Sequence, residues 1–100
     1  MLRVTPIERR PGQVMLKLEG RVCLESAGVL AQVVHASLGG AQTVVLDLDG
    51  VTFIDAAGLA LLEGWRGTRL RWCGGAPFIQ LLLHSHGIAA MPCGAAEGGR

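Results

Sequence analysis

The chain has no tyrosine, two phenylalanines and two tryptophans, and it is poor in charge: 17% of its 100 residues are ionised, for a formal net charge of +1. Such a balance lacks the basic excess that phosphate backbones demand, so no nucleic-acid partner is expected. Long apolar runs are missing too. The two richest stretches, 76–83 and 59–62, are interrupted by Gln80 or ended by Glu63, well short of the roughly 18 residues a membrane helix needs. No membrane insertion is expected. The opening Met1, Leu2, Arg3 runs straight into alternating residues, without the charged region, apolar core and cleavage site of a secretory leader, which predicts a cytoplasmic protein. Cysteine is scarce and odd in number: Cys23, Cys73 and Cys93 lie far apart. That spacing suits free thiols in a reducing compartment, and it lacks the close pairs of a zinc site. Neither metal nor cofactor is expected.

What is present is apolar bulk, half of all residues, which excludes compositional disorder. A chain of this length buries roughly 60 to 70% of its unfolded surface in one core. One domain over 1–93 is expected, followed by a loose glycine-rich tail over 94–100. So much apolar material with so few rings points to hydrophobic surface left for a partner protein or a second copy.

Residues 3–7 lead into Pro11 and Gly12, a turn pair, after which Val14, Leu16 and Leu18 alternate with Met15, Lys17 and Glu19. This predicts an antiparallel hairpin whose second strand ends at Gly20. Ala27, Leu30, Val33, Val34 and Leu38 then fall at helical spacing from residue 25 or 26, stopped by Gly39 and Gly40. Residues 43–48 are β-branched and nearly all apolar, as in a central strand covered on both faces. A loop over 49–55 and a helix over 56–70 follow, its apolar face made by Leu59, Leu61, Leu62 and Trp65, with Glu63 and Arg66 outward. A short strand over 69–73, a turn at Gly74 and Gly75, and a helix from Pro77 to about residue 86 complete the pattern, with a further edge strand over 88–91. The fold class is α/β: a mixed four- to five-stranded sheet with helices packed mainly on one face.

The informative stretch is VVLDLDGVTFIDAAGLALL, residues 44–62. It delivers a helix N-terminus to the rim of the sheet, where α/β domains meet their ligands. Asp55 is placed as N-cap, accepting from the free amides of Ala57 or Gly58 and favoured by the helix dipole. Ile54 can staple onto Leu59.

In these residues the chain resembles the STAS domains, the anti-sigma factor antagonist family. The central run "Asp, three residues, Thr52, Phe53, Ile54, Asp55, small, small, Gly58, Leu59" carries the likeness. It is supported by Leu18, Glu19, Gly20, Arg21 and Val22 at the exit of the second strand, and by the last helix from Phe78 to Ile88. The resemblance spans about 90 residues. It implies a cytoplasmic, non-catalytic module that binds a switch-kinase anti-sigma factor in a partner-switching pathway, the ATP belonging to the kinase. In the family the positions matching Ala56 and Ala57 usually carry hydroxyls, and the one matching Ala57 takes the regulatory phosphate. Here both are alanine, so no phosphoacceptor stands at the helix start.

The expected partner-binding residues are therefore Gly20, Arg21, Val22, Thr52, Ile54, Asp55, Ala56, Ala57, Gly58 and Leu59. The expected function is that of an anti-sigma factor antagonist lacking its phosphorylation switch. The resemblance also implies an alternative, an accessory subunit docked on a transporter ATPase of the lipid-trafficking kind. Other constellations point to little chemistry. His84 and His86, two apart on the expected helix, face different directions and do not share a metal. The serines have no GxSxG elbow or neighbouring base. Gly64 and Gly67 fall inside the expected helix and form no phosphate cradle. Arg66, Arg69 and Arg71 with Trp65 and Trp72 make the one basic and aromatic cluster, expected at a solvated helix end.

Overall fold

The computed structural model describes residues 2–40 and 43–91. The tail expected over 94–100, and Cys93 with it, lie outside the described residues. In order, the elements are β1 (Leu2–Arg10), β2 (Gln13–Val22), α1 (Leu24–Gly40), β3 (Thr43–Ile54), α2 (Ala56–Glu63), β4 (Leu70–Cys73) and α3 (Pro77–His84). The strands form one mixed sheet in the order β1-β2-β3-β4. β1 and β2 are antiparallel, as the Pro11–Gly12 turn requires; Gly12 takes φ +83°, open to glycine without strain. β2–β3 and β3–β4 are parallel.

The two-residue period sorts each strand between two faces. Leu16 and Leu18 on β2, Val44, Leu46 and Leu48 on β3, and Leu70 and Trp72 on β4 all join one core. Its other wall is helical: Leu30 and Val34 from α1, Leu59 and Leu62 from α2, Ile79 and Leu83 from α3. All three helices therefore contribute to a single layer. On the reverse face Met15, Val45 and Cys73 form a smaller buried cluster with Met91 packed on it. β3, flanked on both sides and buried on both faces, is the central strand its composition indicated.

Five expectations are corrected. β2 does not end at Gly20 but runs to Val22, and β3 continues through the segment expected as a loop, residues 49–54. The reason is mutual: each strand supplies the other's ladder, with Glu19 opposite Gly50, Gly20 opposite Val51 and Val22 opposite Ile54. Register shifts between Lys17 and Glu19 and between Gly20 and Arg21 absorb the irregular residues, and Gly20 takes φ +117° there. A Cβ at Gly50 would come within 2.8 Å of the Leu18 carbonyl oxygen, so the two backbones meet because that side chain is missing.

The helix expected over 56–70 stops at Glu63, and Gly64 and Gly67 lie in the turns beyond it, Gly67 at φ +81°. Trp65 is buried from that turn, not from a helix face. α3 ends at His84 and Gly87 closes the following turn at φ +80°. The edge strand expected over 88–91 is reduced to one parallel bridge, Cys73 to Met91. Among the described residues no helix is long and apolar enough to cross a membrane, which says nothing of membrane-spanning strands.

Candidate functional site

β2 and β3 end side by side, at Val22 and Ile54. Each is followed within two residues by a helix, so the N-termini of α1 and α2 open next to each other at one edge of the sheet. Both present unpaired amides and the positive end of a helix dipole.

Asp55 closes both ends. Its Oδ1 accepts from the Gly58 amide at 2.8 Å, the N-cap bond of α2, and its Oδ2 accepts from the Leu24 amide at 3.0 Å, at the first residue of α1. Its own amide donates to the Val22 carbonyl at 3.1 Å, prolonging the β2–β3 ladder. The hydrogen bonds from Gly58, then Leu24, hold the Asp55 carboxyl below its ordinary range by favouring the charged form. On α1, Ser26 completes the start: its Oγ accepts from the Cys23 amide at 3.0 Å and donates to the Arg21 carbonyl at 2.9 Å.

Of the ten residues expected at this surface, the structure gathers all at the same edge but splits them by depth. Val22, Ile54, Gly58 and Leu59 are buried and form the floor. Gly58 sits against the Val22 carbonyl so closely that any Cβ would overlap it, which is why glycine follows the two alanines. Ile54 and Leu59 lie in one core cluster, as the staple requires. Arg21, Thr52 and Ala56 are exposed, and Gly20, Asp55 and Ala57 are half-buried. The Thr52 hydroxyl donates to the Gly20 carbonyl at 3.2 Å.

Sequence reasoning missed two members. Phe53, 42% exposed, is the register partner of Arg21, whose guanidinium lies 4.9 Å from the ring centroid. Leu24, 73% exposed, stands at the start of α1. The signal for Phe53 was present: it directly precedes Ile54, whose side chain enters the core, so strand alternation turns Phe53 to the opposite face. Nothing local marked Leu24, since its link to Asp55 crosses 31 positions. Beside it, Leu2, Cys23, Glu25, Ser26 and Val29 line a cavity of about 240 Å³.

The remaining constellations resolve as structure. Trp65 and Trp72 are buried, whereas Arg66, Arg69 and Arg71 are exposed, so the expected cluster divides. Arg69 donates to the Leu38 carbonyl at 2.8 Å. His86 lies in the turn after α3 and its Nδ1 sits 2.7 Å from Glu63 Oε2, tying that turn to the end of α2.

Set against known proteins, residues 6–90 match the family model STAS_2, described as Mlab, STAS domain. No curated protein matches the chain. Solved structures do. An anti-sigma factor antagonist from Mycobacterium paratuberculosis is 18% identical with a TM-score of 0.77, over 92% of this chain and 86% of that one. The Bacillus cell fate determinant SpoIIAA in its phosphorylated form is 14% identical with a TM-score of 0.69, over 98% of this chain and 100% of that one. Unphosphorylated SpoIIAA, an anti-sigma factor antagonist, is 14% identical with a TM-score of 0.66, over 91% and 86%. At such identities the likeness is one of fold.

Proposed function

Since the chain belongs to the STAS_2 family of Mlab-type STAS domains, we propose that it is a non-catalytic module of the cytoplasm that binds a partner protein on the rim where α1 and α2 begin. The carrying observation is the geometry of Asp55. One carboxylate orders two helix starts, and so fixes a small surface of Arg21, Leu24, Thr52, Phe53, Ala56 and Ala57.

Read as an anti-sigma factor antagonist, the module binds a switch-kinase anti-sigma factor. Ala57 is accessible at the second position of α2 but has no hydroxyl. A phosphate there would bring about two negative charges beside Asp55, and charge of that size drives a partner off. Without an acceptor, that release is missing, and the module acts as a permanent antagonist or leaves switching to its partner. The nearby Thr52 hydroxyl does not replace it, being tied to the strand by its bond to Gly20.

A second reading is favoured by the matched family's own description. As a Mlab-type domain, the chain would dock on a transporter ATPase as an accessory subunit, where a hydroxyl-free helix start costs nothing. Both readings use the same rim.

Two experiments test them. Ala57→Asp should weaken binding to the partner recovered from the native cell by more than tenfold, about 1.4 kcal/mol, through repulsion and desolvation. Unchanged affinity with an intact fold removes the rim from consideration. Incubated with ATP and switch kinases encoded near its gene, the native chain should stay unmodified by mass spectrometry, while Ala57→Ser becomes phosphorylated. Stoichiometric phosphate on Thr52 of the native chain would overturn the unswitched reading. A serine variant left bare, with a transporter ATPase as the recovered partner, decides for the second reading.

A further inference from the structure

We infer that the partner protein reads this edge with an acidic side chain: an aspartate or glutamate of the partner pairs with the Arg21 guanidinium, and an apolar side chain beside it covers the Phe53 ring. The inference rests on the rim being the binding surface and names the chemistry that surface selects.

Arg21 and Phe53 are register partners, each one residue before the end of its strand. Val22 and Ile54, which follow them, enter the core, so strand alternation turns the pair to the opposite face. The two side chains meet there. The guanidinium carbon lies 4.9 Å from the ring centroid, within the range of a cation–π contact. The backbone beneath is held as well, because the Arg21 carbonyl accepts from Ser26 Oγ at 2.9 Å. An arginine stacked in this way has given up part of its freedom before a partner arrives, so less is lost when it pairs.

What the guanidinium lacks is a carboxylate. Among the described residues no Asp or Glu lies within ion-pair distance of it, and its N–H groups, on an exposed side chain, donate to no protein acceptor. Asp55, the acid of the rim, spends both oxygens inward on the Gly58 and Leu24 amides. Glu25 lines the cavity beside Leu2 and Val29, its Oε1 3.8 Å from the Cys23 thiol. The outward charge of the strand ends is therefore Arg21's. A planar fork of N–H donors with a fixed charge matches a carboxylate through two parallel bonds. A chain with a formal net charge of +1 carries no broad field for a polyanion, so a single carboxylate on a protein is the matching source, rather than a phosphate backbone or an anionic membrane.

The test uses the partner protein recovered with the native chain, identified by mass spectrometry and purified. R21Q should weaken the complex by about thirtyfold and R21E by more. R21K, which keeps the charge but loses the fork and the stacking, should fall between the native chain and R21Q. F53L, which releases the guanidinium, should weaken it by about fivefold. Raising sodium chloride from about 50 to about 500 mM should loosen the native complex more than that of R21Q. Exchange of charge is the decisive arm: one acidic residue of the partner, changed to arginine, should weaken binding to the native chain and restore binding to R21E. Its first half is read on the native chain, so it stands even if R21E fails to fold. R21Q and R21E that bind like the native chain, while Ala57→Asp weakens binding, overturn this inference and leave the rim in place. All three binding like the native chain overturn both. A loss in R21E that no charge reversal on the partner restores overturns the inference, as does binding of the native chain to phosphatidylglycerol vesicles that R21E abolishes.

Discussion

At the scale of single residues, Asp55 does more than its sequence position declares. Its role as cap of α2 was legible, because an acid followed by small residues and a leucine run is a helix start. Its second bond was not, because Leu24 reaches it only once β2 and β3 lie in register. The two bonds separate in experiment. Asp55→Asn keeps an oxygen for Gly58 but turns a donor toward the Leu24 amide, whereas Asp55→Ala loses both. Thermal melts should rank the native chain above Asn and Asn above Ala, by a few degrees at each step. The same bonds set an acid response. The Asp55 carboxyl sits below its ordinary value of 3.8 in the folded chain, so its stabilisation is complete above that value and drains away as pH falls through the lower, folded one. Melts between pH 2 and 7 should show Asp55→Asn losing less stability to acid than the native chain does. Equal losses would show that the carboxylate is not what holds the two helix starts.

Among elements, the sequence patterns located each strand and helix of the fold, and the errors fell at their ends and in one strand too many, the edge strand expected over 88–91 that is a single bridge. Asp49, Gly50 and Thr52 look like loop residues when read alone; they are strand residues because β2 offers them a ladder and two register shifts take up the mismatch. Gly64 and Trp65 continue a helical stripe in sequence, yet glycines at 64 and 67 end α2 and the tryptophan reaches the core from the turn. Burial was readable there while secondary structure was not, since the core selects apolar bulk and is indifferent to the backbone that delivers it. Trp65→Ala should cost about 3–5 kcal/mol in chemical denaturation, the range for removing a large buried ring. The junction of β2 with α2 is more exacting. Gly58→Ala places a methyl group on the Val22 carbonyl and should cost about 1–3 kcal/mol despite alanine's better helix propensity. A neutral or stabilising effect would mean that α2 is free to move away from β2.

For the whole molecule, parallel strands capped by helices on one layer bring the helix starts together at one sheet edge, and this places the candidate site. Its position was therefore readable from the order of elements, and most of its members from one stretch of sequence. Leu24 was not, because tertiary pairing alone brings α1 to that edge. Phe53 was passed over although its register exposes it. These two and Arg21 are the large side chains of the rim, so they should carry more of the binding than the alanines that leave room for approach. The central claim is that this edge is where the partner sits. Amide hydrogen exchange on the complex with the partner recovered from the native cell tests it most directly. The account predicts slowed exchange at residues 20–25 and 52–60, with little change at 2–7. Protection confined to other segments, with both of those stretches exchanging as in the free chain, would contradict it.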